Sequence, residues 1–282
     1  MTRPTLADYG TYDESEFPEL ANRVLRSWSP CLGVTGSRVP DLGRASQWGT
    51  LTGMDAATDW TLGDGAFGLD FDGVDDWVDF GSNSFAGTNF TVVSWFKILT
   101  AGTHFPYSTS SAAAASGIEL LYGPASVFSQ IASRISSTGT GVLTHDFGST
   151  AAALANPICF VQCFSDAQPT KSHTIFVNGG NRQSTTYTAN TASSQNWSWA
   201  KRGTTFFAAG GGGAITNGTC RWFEQIVFRG IFTDTEASAI YNLGPGGLFQ
   251  RRRRHYAIFA EEAAFRAPWA TRSRSIIGGG IR

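Results

Sequence analysis

Apolar and β-branched residues along this chain gather in short runs rather than in long helical stripes. Residues 90–98, 158–164, 174–178, 204–208 and 222–228 are five to nine residues long, and several are apolar at consecutive positions. That pattern predicts strands buried on both faces, because side chains alternate across a strand and a half-buried strand would alternate in polarity. Asn178-Gly179 between two such runs predicts a tight hairpin, since both residues tolerate positive φ. One helix is marked. Thr233 and Glu236 form a capping-box pair, Ala237, Ile240 and Tyr241 share a face, and Gly244-Pro245 ends it. Residues 100–116 and 189–201 read as the long loops, and no internal repeat is visible.

Composition points the same way. The chain has 282 residues, 33 of them glycine, with 13% aromatic and only 15% charged residues, which suits many strands joined by tight turns. One sandwich of this length needs no second domain. No apolar run is long enough to cross a bilayer, and the first thirty residues carry no charged-then-apolar signal region, so no membrane partner is expected. Cys31, Cys159, Cys163 and Cys220 lack zinc spacing. Cys159 and Cys163 would project from one strand face about 13 Å apart, too far to be joined, so buried free thiols suited to a reducing cytoplasm are expected. The sequons at Asn89, Asn196 and Asn217 are read as chance matches.

The string GLDFDGVDDWV at residues 68–78, followed by FTVVSWFK at 90–97, resembles the opening of concanavalin A-like lectin/glucanase jelly rolls, the superfamily that includes laminin-G-like modules. The resemblance continues through residues 28–55, through HTIFVNGG at 173–180 and through FEQIVFRGIFTDTEASAIY at 223–241. It implies an all-β, antiparallel two-sheet jelly-roll sandwich with one short C-terminal helix and extended terminal arms. The expected division is an N-terminal arm at 1–27, the jelly-roll domain at 28–247 and a docking arm at 248–282. Where the family usually has Asp-Glu and Asn-Arg around the closing strand, this chain has Glu224-Gln225 and Arg229-Gly230.

Charge is unevenly placed. Residues 251–282 hold eight arginines against two glutamates, a net of +6, which leaves −7 for residues 1–250. Arg251, Arg252, Arg253 and Arg254 open this tail, and Phe265, Trp269, Ile276 and Ile277 make it too apolar for a free solvated segment, so it is expected to dock, on an acidic neighbouring subunit or on this protein's own body. The acidic body and the apolar sequence after the run argue against nucleic acid. The N-terminal twenty residues, with five acids, form a second candidate arm. The tail is also similar to a "Trp-x-x-Arg-Ser-x-x-Ile-Ile-Gly-x-Gly" string of jelly-roll modules in bacteriophage particles, matched here by Trp269, Arg272, Ser273, Ile276, Ile277, Gly278 and Gly280. That resemblance implies a non-catalytic virion structural protein, of capsid or tail, assembled in a bacterial cytoplasm as a homo-oligomer among other virion proteins. A carbohydrate-binding adhesin that attaches to host or mucus glycans is the alternative.

Catalytic signals are sparse. Jelly-roll glucanases carry Glu-x-Asp-x-x-Glu or a close variant, which sets two carboxylates about 5 Å apart on one strand face. Here Glu119, Asp146 and Asp166 are isolated from one another in sequence. His145-Asp146 lacks a serine on a nucleophile elbow, and GDGAFG at 63–68 leads into a strand, so it reads as a turn and not a phosphate cradle. No cofactor is expected apart from calcium, for which Asp72, Asp75 and Asp76 are the candidates; carboxylates bonding their own turn amides are the competing reading. Trp197 and Trp199, two apart in a polar stretch, are the candidate sugar-stacking pair, with subunit contact or core packing as alternatives. Trp95 and Trp222 read as core residues.

Overall fold

The computed structural model describes residues 17–33, 35–43, 47–55, 57–82, 85, 87–109, 117–135, 140–167, 169–189, 191, 196–200 and 219–249. The described chain is all-β, two antiparallel sheets packed face to face. The strands of the first sheet are β1 (Val24–Trp28), β4 (Trp60–Gly63), β5 (Ala66–Phe71), β7 (Asn89–Ile98), β12 (Ile158–Ser165), β13 (Lys171–Val177), β14 (Gly180–Tyr187) and β16 (Cys220–Arg229). Those of the second are β2 (Arg38–Val39), β3 (Gly49–Thr52), β6 (Trp77–Asp79), β8 (His104–Ser108), β9 (Ile118–Tyr122), β10 (Gln130–Ile135), β11 (Thr140–Asp146) and β15 (Ser198–Trp199). Their orders are β14-β13-β12-β7-β16-β5-β4, with β1 also on β16, and β11-β10-β9-β8-β15-β6-β3-β2.

Central strands of the first sheet are apolar on both faces because each face has its own core. Between the sheets lie Trp28, Phe71, Phe80, Phe96, Tyr107, Phe160, Phe164, Trp199 and Trp222. On the outer side, Val93, Trp95, Cys159, Val161, Ile226 and Phe228 are covered by a second cluster. Its cover comes from α1 (Pro18–Ala21), a 3-10 turn at Pro30–Leu32, α3 (Asp234–Leu243) and a second 3-10 turn at Gly247–Phe249. A further short helix, α2 (Thr150–Ala155), precedes β12. Trp95 and Trp222 are both core residues, and all four cysteines are buried free thiols.

The predicted hairpin is present. Asn178 and Gly179 take φ of 52° and 74° between β13 and β14. So is the capped helix, where Thr233 and Glu236 complete the reciprocal pair at the start of α3. The segment 63–68 is the β4–β5 hairpin, with Asp64 and Gly65 at positive φ and Gly63 paired with Ala66. Its glycines have a second cause: Arg221 lies along the strand pair on its way to Asp70. A Cβ on Gly63 would stand 2.0 Å from Arg221 Nη1, and one on Gly68 would stand 2.6 Å from Arg221 Cγ.

Both expected arm boundaries move. Val24–Trp28 pairs with β16, and Leu20, Ala21 and Val24 are buried, so residues 17–27 belong to the sandwich and not to an arm. Leu248 and Phe249 are likewise buried in the outer core, beyond the expected limit at 247. The reason is common to both: the outer face of a sheet apolar on two sides must be covered, and residues 17–21 and 247–249 supply part of that cover. The loop expected at 100–116 contains β8, and that at 189–201 contains β15. The expected strand at 204–208, residues 1–16 and the docking residues Arg251, Arg252, Arg253, Arg254, Phe265, Trp269, Ile276 and Ile277 lie outside the described residues.

Candidate functional site

Trp197 and Trp199 do point the same way, but inward. Strand β15 is central, held between β6 and β8, so alternation places Ser198 outward and both indoles in the core. Trp197 stacks on Tyr107 at 6.0 Å, and Trp199 stacks on Trp222 at 5.1 Å. At 3% and 0% exposure neither presents a ring face to a sugar, which corrects the stacking expectation. Polar neighbours in sequence suggested a surface segment, whereas pairing on both edges made it a core strand.

The acidic turn joins the two sheets, carrying the chain from β5 to β6. Donor atoms of Asp72, Asp75 and Asp76 lie within 4.8 Å of one another. One oxygen each of Asp72 and Asp76 is already engaged in the turn. Asp72 Oδ1 accepts from the Val74 amide at 2.7 Å, and Asp76 Oδ2 accepts from the Asp72 amide at 2.9 Å. Gly53 packs so closely that a Cβ there would meet the Asp75 carbonyl oxygen at 2.4 Å. Burial, reinforced by the charges of Asp72 and Asp59 and opposed by the Asp72 amide, pushes the Asp76 carboxyl up to about 6. Bonding to turn amides fixes the Asp72 and Asp76 carboxylates whether or not an ion is bound.

A serine–histidine pair that the sequence reading missed is present on β10 and β13. Ser133 Oγ lies 2.7 Å from His173 Nε2, and His173 Nδ1 lies 2.9 Å from the Gly141 carbonyl oxygen. A carbonyl only accepts, so Nδ1 carries the proton, Nε2 accepts from Ser133, and Ser133 accepts from Gln162 Nε2. Gln162 Oε1 then accepts from the Tyr107 hydroxyl, which fixes the direction of the whole relay. Both Ser133 and His173 have 0% exposure, so no substrate reaches the hydroxyl. Burial, partly offset by the Gly141 bond, holds the imidazole down at about 4, and it is neutral at physiological pH. The pair knits the two sheets together; separated by 40 residues, it leaves no motif in the sequence.

The isolated acids remain isolated. Glu119 is paired with Arg134, and Asp146 is exposed and accepts from the Gly148 amide and from Gln130. Asp166, almost fully buried, accepts from Lys171 Nζ at 2.8 Å, Tyr187 Oη at 3.0 Å, Thr191 Oγ1 at 2.8 Å and the Gly87 amide at 2.7 Å. Burial alone would raise its pKa, but these bonds outweigh burial and hold the carboxyl below its usual range. Two of its partners, Lys171 and Tyr187, line an open groove of about 500 Å³ together with Gly141, Pro169 and threonines 170, 186 and 188.

Glu224 is the other notable carboxyl. A bulge between Trp222 and Glu224 turns its side chain to the outer core, where Ser29 Oγ donates to Oε1 at 2.7 Å and the Gly246 amide to Oε2 at 3.0 Å. Burial exceeds the effect of those two bonds and pushes the carboxyl up to about 7.

With the geometry in view, solved structures of similar fold include toxin binding domains. The binding domain of Paraclostridial Mosquitocidal Protein 1 superposes with a TM-score of 0.57 at 10% identity, over 78% of this chain and 52% of that one. The botulinum neurotoxin serotype D/C VPI 5993 binding domain gives 0.58 at 12%, over 78% and 52%. The receptor binding domain of the C/D mosaic serotype gives 0.53 at 11%, over 78% and 51%. The fold is a two-sheet jelly roll. At these identities the likeness concerns architecture, and the chain spans about half the length of each structure. No protein-family model matches the sequence, and no curated protein is similar to it.

Proposed function

We propose that the chain is a non-catalytic binding module that presents a lectin-like sandwich to a receptor or glycan. The observation that carries this reading is the sealing of its reactive-type groups. Among the described residues, the Ser133–His173 pair has no exposure, and Glu119, Asp166 and Glu224 are buried and held by structural donors. The toxin domains of like fold are named as binding and receptor binding domains, which is consistent with the same use of the scaffold. Incubation with a panel of polysaccharides and activated esters is expected to give no turnover. Measurable hydrolysis that survives repurification would overturn the reading.

A second reading, that the module is a homo-oligomeric subunit of a bacteriophage particle assembled in the host cytoplasm, is supported by one further observation. The first and last described residues, Phe17 and Phe249, both pack in the core on the outer face of the first sheet, where Ser29 and the Gly246 amide meet at the Glu224 carboxyl. The sequence after Phe249 opens the arginine-rich tail with Arg251–Arg254. Deleting residues 251–282 is expected to leave a folded protein that no longer enters particles. Assembly of the truncated protein would count against docking by the tail.

A further inference from the structure

We propose that the groove formed by residues 169–171 and 186–188 beside Gly141 is a binding site for a neutral saccharide. This inference rests on the reading of the chain as a binding module and gives that reading a location. Its volume, about 500 Å³, is within the range of small-ligand sites. The chemistry of the lining selects the ligand class. Lys171 is the charged side chain of the groove, and its ammonium is 2.8 Å from Asp166 Oδ1, so the pair carries no net charge toward a ligand. What remains are hydroxyls. Thr170, Thr186 and Thr188 are exposed at the rim, and each both donates and accepts. That is the complement of a ring bearing neighbouring hydroxyls, not of a phosphate or carboxylate.

The groove is also held in shape before any ligand arrives. Asp166 pins Tyr187 through its hydroxyl at 3.0 Å and Lys171 through its ammonium, and is itself fixed by the Gly87 amide and Thr191. On the opposite wall Gly141 takes φ of +60°, and a Cβ there would stand 3.0 Å from Tyr187 Cβ. Its carbonyl is anchored by His173 Nδ1 at 2.9 Å, so the buried relay ends at the groove wall. Side chains whose positions are fixed by a buried set of bonds lose little entropy on binding.

The test is a titration of the full chain by heteronuclear NMR with galactose-, glucose-, mannose- and N-acetylhexosamine-terminated oligosaccharides, with a sialylated one as the charged control. At least one neutral sugar is expected to shift the amides of Thr170, Lys171, Thr186 and Thr188. Thr186→Val and Thr188→Val keep the strand-compatible shape, and each is expected to weaken binding by about five- to tenfold with the thermal midpoint unchanged. Shifts confined to another surface, or variants that leave affinity unaltered, would overturn the groove while leaving the binding-module reading intact. Absence of shifts with every sugar also overturns the groove. Cleavage of an oligosaccharide during the titration overturns the binding-module reading itself.

Discussion

Glu224 makes stability depend on pH in a direction opposite to that of most carboxylates. Its folded value of about 7 stands above the ordinary 4.5, because the group is wholly buried. Below pH 4.5 folded and unfolded chains are both protonated at this position, and the group contributes its full stabilisation. As pH rises from 4.5 to 7 the unfolded chain ionises first, so that stabilisation is lost; above 7 it changes no further. The gap corresponds to about 3 kcal/mol. In Glu224→Gln the amide oxygen still accepts the Gly246 N–H and the amide nitrogen donates to Ser29 Oγ, which can pass its own proton to Ser27 Oγ at 3.0 Å. The variant therefore keeps the bonds and loses the titration. Urea unfolding followed by tryptophan fluorescence between pH 4.5 and 8 measures the effect. The difference between wild type and variant, in which the opposing contribution of Asp166 cancels, is expected to grow with pH in favour of the variant and to level off above 7. A difference constant across that window would refute the argument that burial, rather than the two donors, governs this carboxyl.

Three other outcomes are expected. Asp166→Ala strips one acceptor from four donors and leaves Lys171 without its counterion, and it should cost about 3–5 kcal/mol in urea unfolding; a loss below 1 kcal/mol would show that the cluster is dispensable. Gly68→Ala places a methyl against Arg221 Cγ and should cost about 1–3 kcal/mol, an effect that Arg221→Ala should relieve in a double-mutant cycle. Gln225, the cross-strand partner of Ser94, is fully buried with neither amide atom bonded among the described residues, so Gln225→Met should be neutral or stabilising by about 1 kcal/mol in thermal melts, and a clear destabilisation would mean that the amide is satisfied.

The legible parts of this protein are those whose cause is local. Strand β7 was readable from 90–98 because six of its nine residues are apolar and fall on both faces, and α3 because Thr233 and Glu236 cap it through bonds three residues apart. The 178–179 hairpin follows from positive φ, and the acidic strand–turn–strand at 68–78 from its own side chains. Strand β8 was not readable: His104–Ser108 carries Pro106 and polar neighbours, and it is a strand because β9 and β15 pair with it. The candidate groove left no trace in sequence, since Gly141, Lys171 and Tyr187 come from three strands and meet through the closure of one sheet on the other.

By itself the sequence determined an all-β sandwich with tight turns, buried thiols and one capped helix, since each follows from periodicity, backbone preference or neighbours within a few residues. Only the tertiary structure decided which face each strand buries. A two-residue spacing says that Trp197 and Trp199 point the same way but not which way, and pairing on both edges of β15 sent them inward. In the same manner Glu224 and Ser133 are ordinary surface-type residues until a bulge and a sheet contact remove them from water. Burial is a property of the assembled fold, and it determined what each of these side chains can do.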